Sequence, residues 1–129
     1  MWLLLLIGNN SFMKKFYKIK TNRDFHRIYN RGKNYVAPTI VTYVRHRKGD
    51  GVHLGITASK KIGGAVQRNR AKRVITAAFR ECLPNIVGGC EFIIVARTRI
   101  LGAKSTEVAS ILKKQLKAAQ VWCENESDK

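Results

Sequence analysis

A run of cations with no acidic residue among them is the feature of this sequence with the clearest chemical meaning. It lies in residues 60–80, KKIGGAVQRNRAKRVITAAFR, and comprises Lys60, Lys61, Arg68, Arg70, Lys72, Arg73 and Arg80. A helix N-terminus carries partial positive charge, so arginines beside one are unfavourable unless an anion binds there. Free backbone N–H groups at that end also favour phosphate. The segment predicts a phosphate-binding surface, and the alternative is an ordinary solvated helix face.

Apolar residues recur along one side of the helix that this segment predicts, from about Gln67 to Cys82. The core-facing spacing is i, i+3, i+4, i+7 and i+8, met by Ala71, Val74, Ile75, Ala78 and Phe79. The opposite side carries Asn69, Lys72, Arg73, Thr76 and Arg80. We therefore expect one side to anchor the helix in a core while the other presents cations on a rigid support.

Composition indicates a polyanionic partner. The chain has 129 residues, which fits one domain, and a formal charge of +17 from 25 Lys and Arg against 8 Asp and Glu. A compact domain with that excess repels itself, so nucleic acid, an anionic membrane surface or an acidic protein is expected to bind it. The apolar run at residues 2–7 is too short to span a membrane. We predict a poorly ordered extension over residues 1–12, a single binding domain over 13–123 and a short polar tail over 124–129.

The titratable residues do not suggest catalysis or metal binding by the protein itself. A two-metal nuclease needs converging carboxylates. Outside the tail the chain has only Asp24, Asp50, Glu81, Glu91 and Glu107, on separate predicted elements. We interpret them as surface charges and helix caps. The three histidines, at positions 26, 46 and 53, also lack the spacing of metal ligands. We predict no catalytic side chain and no metal site.

The cysteines favour a reducing compartment. Cys82, Cys90 and Cys123 are odd in number, and no two have C-x-x-C spacing. Three free thiols fit this pattern better than a disulfide framework or a zinc site. We therefore expect a cytoplasmic protein.

Periodicity predicts the element order α-β-β-β-α-β-α. A helix is expected between Thr21 and Gly32, extended chain over 34–47 with an interruption at Pro38, and an alternating strand over 52–59. After the basic helix come a strand over 92–96, apolar throughout and thus buried on both faces, and a last helix capped by Ser105 or Thr106. The fold class is then α/β (α+β), a two-layer sandwich of helices on a small mixed sheet.

The spaced motif of the basic segment resembles the signature of the bacterial ribonuclease P protein family. The matching residues are Lys60-Lys61-Ile62-Gly63, Ala65-Val66, Arg68-Asn69-Arg70 and Lys72-Arg73. The resemblance extends upstream to Asp24-Phe25 and downstream to residues 92–97, and it covers roughly residues 14–122. It implies that one β-α-β crossover of the sheet is left-handed, whereas the default would be right-handed.

The resemblance also implies a function. In this family a catalytic RNA removes the 5′ leader from precursor tRNA with Mg²⁺ bound mainly by the RNA, and the protein subunit binds that RNA and the leader. The residues expected to face the catalytic RNA are Lys60, Lys61, Arg68, Asn69, Arg70, Lys72 and Arg73. Phe25, Tyr29 and Tyr43 match the aromatic positions of the leader-binding cleft, although Phe25 and Tyr29 could equally be core residues.

Three other functions fit the sequence less well. The second hypothesis is a ribosomal or other structural RNA-binding protein. A DNA-binding module is the third, because no helix-turn-helix or zinc spacing supports it. An independent nuclease is the fourth. The expected partners are therefore the catalytic RNA and the precursor-tRNA leader, with neither DNA nor a membrane.

Overall fold

The computed structural model describes residues 16–49 and 51–124, and within them it contains one five-stranded sheet and three α-helices. The strands are β1 (Phe16–Lys18), β2 (Lys33–Val36), β3 (Ile40–His46), β4 (Val52–Thr57) and β5 (Cys90–Ala96). The helices are α1 (Asn22–Arg31), α2 (Ala65–Cys82) and α3 (Ser105–Ala118). The predicted order is confirmed, and β1 is an addition to it. The predicted extension over 1–12, Asp50 and the tail after Glu124 lie outside the described residues.

The sheet is mixed, as predicted. Its strand order is β1-β4-β5-β3-β2. The central strand β5 pairs in parallel with β4 and antiparallel with β3, while β1 is parallel to β4 and β2 antiparallel to β3. Because α2 joins the parallel neighbours β4 and β5, it forms the expected β-α-β crossover, whose left hand stays a prediction.

Helices α2 and α3 pack on one face of the sheet and enclose the main core. The predicted α2 stripe is confirmed, since Ala71, Ile75, Ala78 and Phe79 are buried and Val74 is half-buried. The Phe79 ring packs edge-on against Phe16 at 5.3 Å and Phe92 at 5.7 Å between centroids. A buried polar link ties α3 to the sheet, because the Thr42 hydroxyl donates to Gln115 Oε1 at 2.6 Å.

Helix α1 covers part of the other face of the sheet. Thr21 caps it as predicted, because its hydroxyl accepts the Asp24 backbone N–H at 3.2 Å, and Gly32 ends it. Ile28 is fully buried, and Tyr29 packs against Tyr43, whose strand neighbours face the main core. The predicted α+β class is confirmed, and α1 extends the sandwich by a helix on the second face.

Glu91 holds α1 to the sheet. Its carboxylate is only 1% exposed and contacts three guanidinium groups: Oε1 accepts from Arg27 Nη2 at 2.7 Å and Arg47 Nη1 at 3.2 Å, and Oε2 from Arg45 Nη1 at 3.1 Å. Arg27 also pairs with Asp24 at 2.8 Å. The interpretation of Glu91 as a surface charge is therefore wrong, because β5 begins at Cys90 and carries Glu91 into the sheet beside Arg45. The hydrogen bond to Glu91 raises the pKa of Arg27.

Candidate nucleic-acid interface

The start of α2 has exposed cations and backbone N–H groups beside it but no carboxylate in its first turn. The helix begins at Ala65, two residues before the predicted start, with Gly64 at the N-cap. Gln67 Oε1 accepts the Gly64 backbone N–H at 2.9 Å. Gly63 has φ +142°, which an L side chain rarely adopts. The first turn contains no acidic residue, although its N–H groups lie outside the intrahelical hydrogen bonds.

The seven residues predicted to face the catalytic RNA lie together on α2 and the turn before it. Lys60, Lys61, Asn69, Arg70, Lys72 and Arg73 are exposed, and Arg68 is half-buried. None of the seven forms an ion pair with a carboxylate in residues 16–49 and 51–124. Arg68 Nε is buried and has no hydrogen-bond partner among the same residues. These charges are therefore not compensated within the described structure, and they remain available to phosphate.

The three predicted cleft aromatics form a continuous row on the α1 face of the sheet. The Phe25 and Tyr29 ring centroids are 6.3 Å apart, and Tyr29 meets Tyr43 edge-to-face at 4.8 Å and 87°. All three rings are half-buried, so part of each ring is packed and part is open to solvent. Thr42 and Val44 are buried on the opposite face, as alternation predicts.

A glycine in β4 makes room for the first ring of this row. A Cβ atom added at Gly55 would lie 2.7 Å from both Cε1 and Cζ of Phe25, closer than real Cβ atoms approach. At Gly55 the face of β4 toward α1 is thus covered by an aromatic ring. The ring lies directly against the backbone of the strand.

Substituting Gly55 by alanine should therefore displace Phe25. We expect the free energy of unfolding to fall by about 1–3 kcal/mol, as is usual for overpacking. The Phe25→Leu substitution shortens the side chain, so Gly55→Ala should cost clearly less in a Phe25→Leu background. Urea denaturation of the two single variants and the double variant measures this coupling. Strictly additive losses would contradict the close contact.

One pocket joins the basic helix to the aromatic row. It has a volume of about 210 Å³, and Lys72 of α2 and Phe25 of α1 both line it. The remaining lining residues are Phe16, Lys18, Ile19, Leu54, Gly55 and Ile56. Sequence reasoning missed Lys18 and Ile19, which belong to or follow the three-residue strand β1. The stretch FYKIK, residues 16–20, is too short to establish a period, so no sequence signal marked these two residues.

Residues 16–49 and 51–124 contain neither a metal-ligand cluster nor a candidate membrane-spanning helix. No three His, Cys, Asp or Glu side chains come together there as a metal-binding group. In the same part of the chain no helix is both long enough and apolar enough to cross a membrane.

Comparison with known proteins places the chain in a family. The Ribonuclease P family profile matches residues 13–120. The chain belongs to this family. The ribonuclease P protein component of Shouchella clausii is 36% identical over 110 residues, covering 84% of this chain and 90% of that protein. The component from Listeria monocytogenes is 39% identical over 110 residues, covering 84% of this chain and 92% of that protein.

Solved structures of ribonuclease P proteins have the same fold. The Staphylococcus aureus protein matches with a TM-score of 0.73 at 36% identity, over 84% of this chain and 99% of that one. The Thermotoga maritima protein matches with a TM-score of 0.70 at 27% identity, over 78% of this chain and 96% of that one. The chain is thus an RNA-binding protein subunit of ribonuclease P, a ribonucleoprotein enzyme of tRNA processing, and its partner is ribonuclease P RNA. The alternative of a ribosomal or other structural RNA-binding protein is not supported.

Proposed function

We propose that α2 binds the catalytic RNA while the row of Phe25, Tyr29 and Tyr43 holds the 5′ leader of precursor tRNA. The observation that carries this proposal is the pocket shared by Lys72 and Phe25, because it makes the two surfaces contiguous. A strand of RNA can then pass from the cations of α2 to the aromatic rings along one continuous surface, whose lining between Lys72 and Phe25 is mostly apolar. Stacking on aromatic rings tolerates any base, which suits leaders of varied sequence.

In this proposal the RNA subunit performs the hydrolysis, with Mg²⁺ bound mainly by RNA. The engagement of three of the five described carboxylates supports this division. Glu91 is buried among three guanidinium groups, Asp24 pairs with Arg27, and Glu124 pairs with Lys117 at 2.8 Å. These residues do not fit a Mg²⁺ site, because their oxygens already contact cations of the protein. We assign no catalytic or metal-binding role to any side chain.

We place the ribonucleoprotein in the cytoplasm and propose neither DNA nor a membrane as a partner. The cysteines support a reducing compartment, because their number is odd and two of them, Cys82 and Cys90, are buried. Burial raises the pKa of Cys82 to about 12, which keeps it a protonated, unreactive thiol.

Reconstitution tests the proposal directly. Precursor tRNA is incubated in Mg²⁺ with the purified protein, with the catalytic RNA, and with both. We expect no removal of the leader by the protein alone and removal by the reconstituted particle. Cleavage by the protein alone at the same position would contradict the assignment of catalysis to RNA.

Tyr43→Ala should weaken binding of the leader specifically. Tyr43 is half-buried and stands on the cleft side of β3, so the substitution removes a stacking surface rather than a core side chain. Loss of one stacked base should cost about 1–3 kcal/mol in affinity for precursor tRNA. Mature tRNA has no leader, so its affinity for the reconstituted enzyme should barely change.

The experiment measures the affinities of precursor and mature tRNA for particles assembled with wild-type or Tyr43→Ala protein. Thermal melts of the free proteins give their stability. Thr42→Ala is a matched control one position away, because Thr42 faces the opposite side and donates to Gln115. It should lower stability and leave the preference for leader-bearing tRNA intact. Equal losses for both RNAs in Tyr43→Ala would rule out a leader role for this residue.

A further inference from the structure

The arginines around Glu91 supply more positive charge than the carboxylate needs. One guanidinium neutralises one carboxylate, yet Arg27, Arg45 and Arg47 all contact Glu91. Each guanidinium has five N–H donors, and one from each arginine is used on Glu91. Arg27 is also paired with Asp24, so the surplus of charge and donors lies mainly on Arg45 and Arg47.

The burial of this cluster puts the anion inside and the cations outside. The Glu91 side chain is 1% exposed, whereas Arg45 is 26% and Arg47 36% exposed. They line a surface depression of about 510 Å³ together with Arg27, His46, Lys48 and the Glu91 carboxylate itself. Burial, with Arg47 close by, lowers the pKa of the neighbouring His53 and keeps that ring neutral near pH 7. An incoming anion would thus meet a wall of guanidinium and ammonium groups with Glu91 behind it.

This depression is separate from the surfaces already described. Arg27 and Phe25 are two positions apart on α1 and therefore point to nearly opposite sides of the helix. Ile28, fully buried, faces the sheet between them. Helix α2 lies on the other face of the sheet, since its apolar stripe belongs to the main core. The depression and the aromatic row consequently flank α1 from its two sides.

We propose that Arg45 and Arg47, held by Glu91 and assisted by Arg27, bind backbone phosphates of RNA at a site distinct from α2 and the aromatic row. The inference rests on the RNA-binding function proposed above. A guanidinium group is planar and can present two parallel N–H donors. Such a pair matches two phosphate oxygens in a bidentate contact. The phosphates belong either to the catalytic RNA or to precursor tRNA, and the two sources are separable by experiment.

A purely structural role makes a different prediction for Arg45 and Arg47. The attachment of α1 to the sheet runs through Arg27, which alone among the three lies on that helix and pairs with both Glu91 and Asp24. If Arg45 and Arg47 serve only to neutralise Glu91, replacing them should change stability and leave RNA affinity as it is. If they bind phosphate, affinity and its dependence on salt must change.

The test is the double variant Arg45→Gln/Arg47→Gln, which leaves Arg27 on Glu91. Its matched control is Lys104→Gln/Lys114→Gln, which removes two exposed cations at the start of and along α3. Binding is measured at several salt concentrations for the catalytic RNA alone, and for precursor and mature tRNA on the assembled particle. Each phosphate contact contributes about 0.7–0.9 to the slope of log affinity against log salt.

We expect the arginine double variant to reduce that slope by roughly 1–2 for one of the RNAs, with little change in the lysine control. A change seen with catalytic RNA assigns the phosphates to it. A change seen only with tRNA on the particle assigns them to the substrate. Equal slopes and affinities for the two double variants on every RNA would overturn the inference.

Two further variants keep the test decisive. Should a melt show that Arg45→Gln/Arg47→Gln is unfolded, Arg47→Gln alone removes the most exposed cation of the three, and a slope reduction of about 1 is expected. Arg45→Lys/Arg47→Lys retains the charge and should retain most of the slope. Wild-type protein that fails to assemble with catalytic RNA would instead contradict the proposed function, independently of these arginines.

Discussion

Replacing Arg70 and Arg73 together by glutamate should lower affinity for the catalytic RNA at least about a hundredfold. Both side chains are exposed on α2, and neither pairs with a carboxylate in the part of the chain that the structure describes. The substitution removes two cations and places two carboxylates against phosphate. Like charges brought together at an interface cost several kcal/mol, and about 1.4 kcal/mol corresponds to a tenfold change.

The free protein should keep its stability, because Arg70 and Arg73 are both exposed and their replacement relieves repulsion among cations. Filter binding or titration with labelled catalytic RNA gives the affinity, and a thermal melt gives the stability. Lys104→Glu/Lys114→Glu changes the net charge equally on α3 and should weaken binding far less. Similar losses in both double variants would show that net charge, rather than its placement on α2, governs the affinity.

Phe79→Ala should produce the largest loss of stability, about 3–5 kcal/mol. Phe79 is fully buried and contacts the rings of Phe16 and Phe92, so its removal leaves a cavity between α2 and the sheet. Small domains are stable by only about 5–15 kcal/mol, so this variant should melt far below the wild type.

Val66→Ala provides the control for Phe79→Ala on the same helix. Val66 is 77% exposed, and its substitution should change stability by no more than about 0.5 kcal/mol. Urea denaturation of both variants makes the comparison. A loss below about 1 kcal/mol for Phe79→Ala would mean that α2 does not pack on the sheet through this ring.

Elements with a sustained period were predictable from sequence. The buried side of α2 was predicted from spacing alone, and the apolar run over 92–96 correctly indicated a strand covered on both faces. Strand β1 was not predictable, because three residues are too few to establish a period. It forms by pairing with β4, whose residues lie about 36 positions further along the chain, and no local signal encodes that pairing.

In the candidate site, too, some features were predictable from sequence and others were not. The exposure of the α2 cations follows from residue type and helical spacing, so it could be predicted. The burial of Glu91 could not, because a glutamate is normally at the surface. Its environment is supplied by Arg27 and Arg45, which are 64 and 46 positions away in the chain. The pocket shared by Lys72 and Phe25 likewise exists only once α1, α2 and β4 are assembled. The roles of the seven α2 residues and the three aromatics stay predictions.

Strand β5 is central in the sheet but is the last of the five described strands to be synthesised. Before it emerges from the ribosome, the β2–β3 hairpin and the parallel β1–β4 pair have no strand between them. A nascent chain that ends before Cys90 therefore carries two separate sheet halves and a helix α2 whose apolar stripe has no complete surface to cover. Such long-range pairing is slow and leaves apolar surface exposed meanwhile. The tertiary fold can thus close only after translation has passed Ala96, when the cations of α2 have already been synthesised.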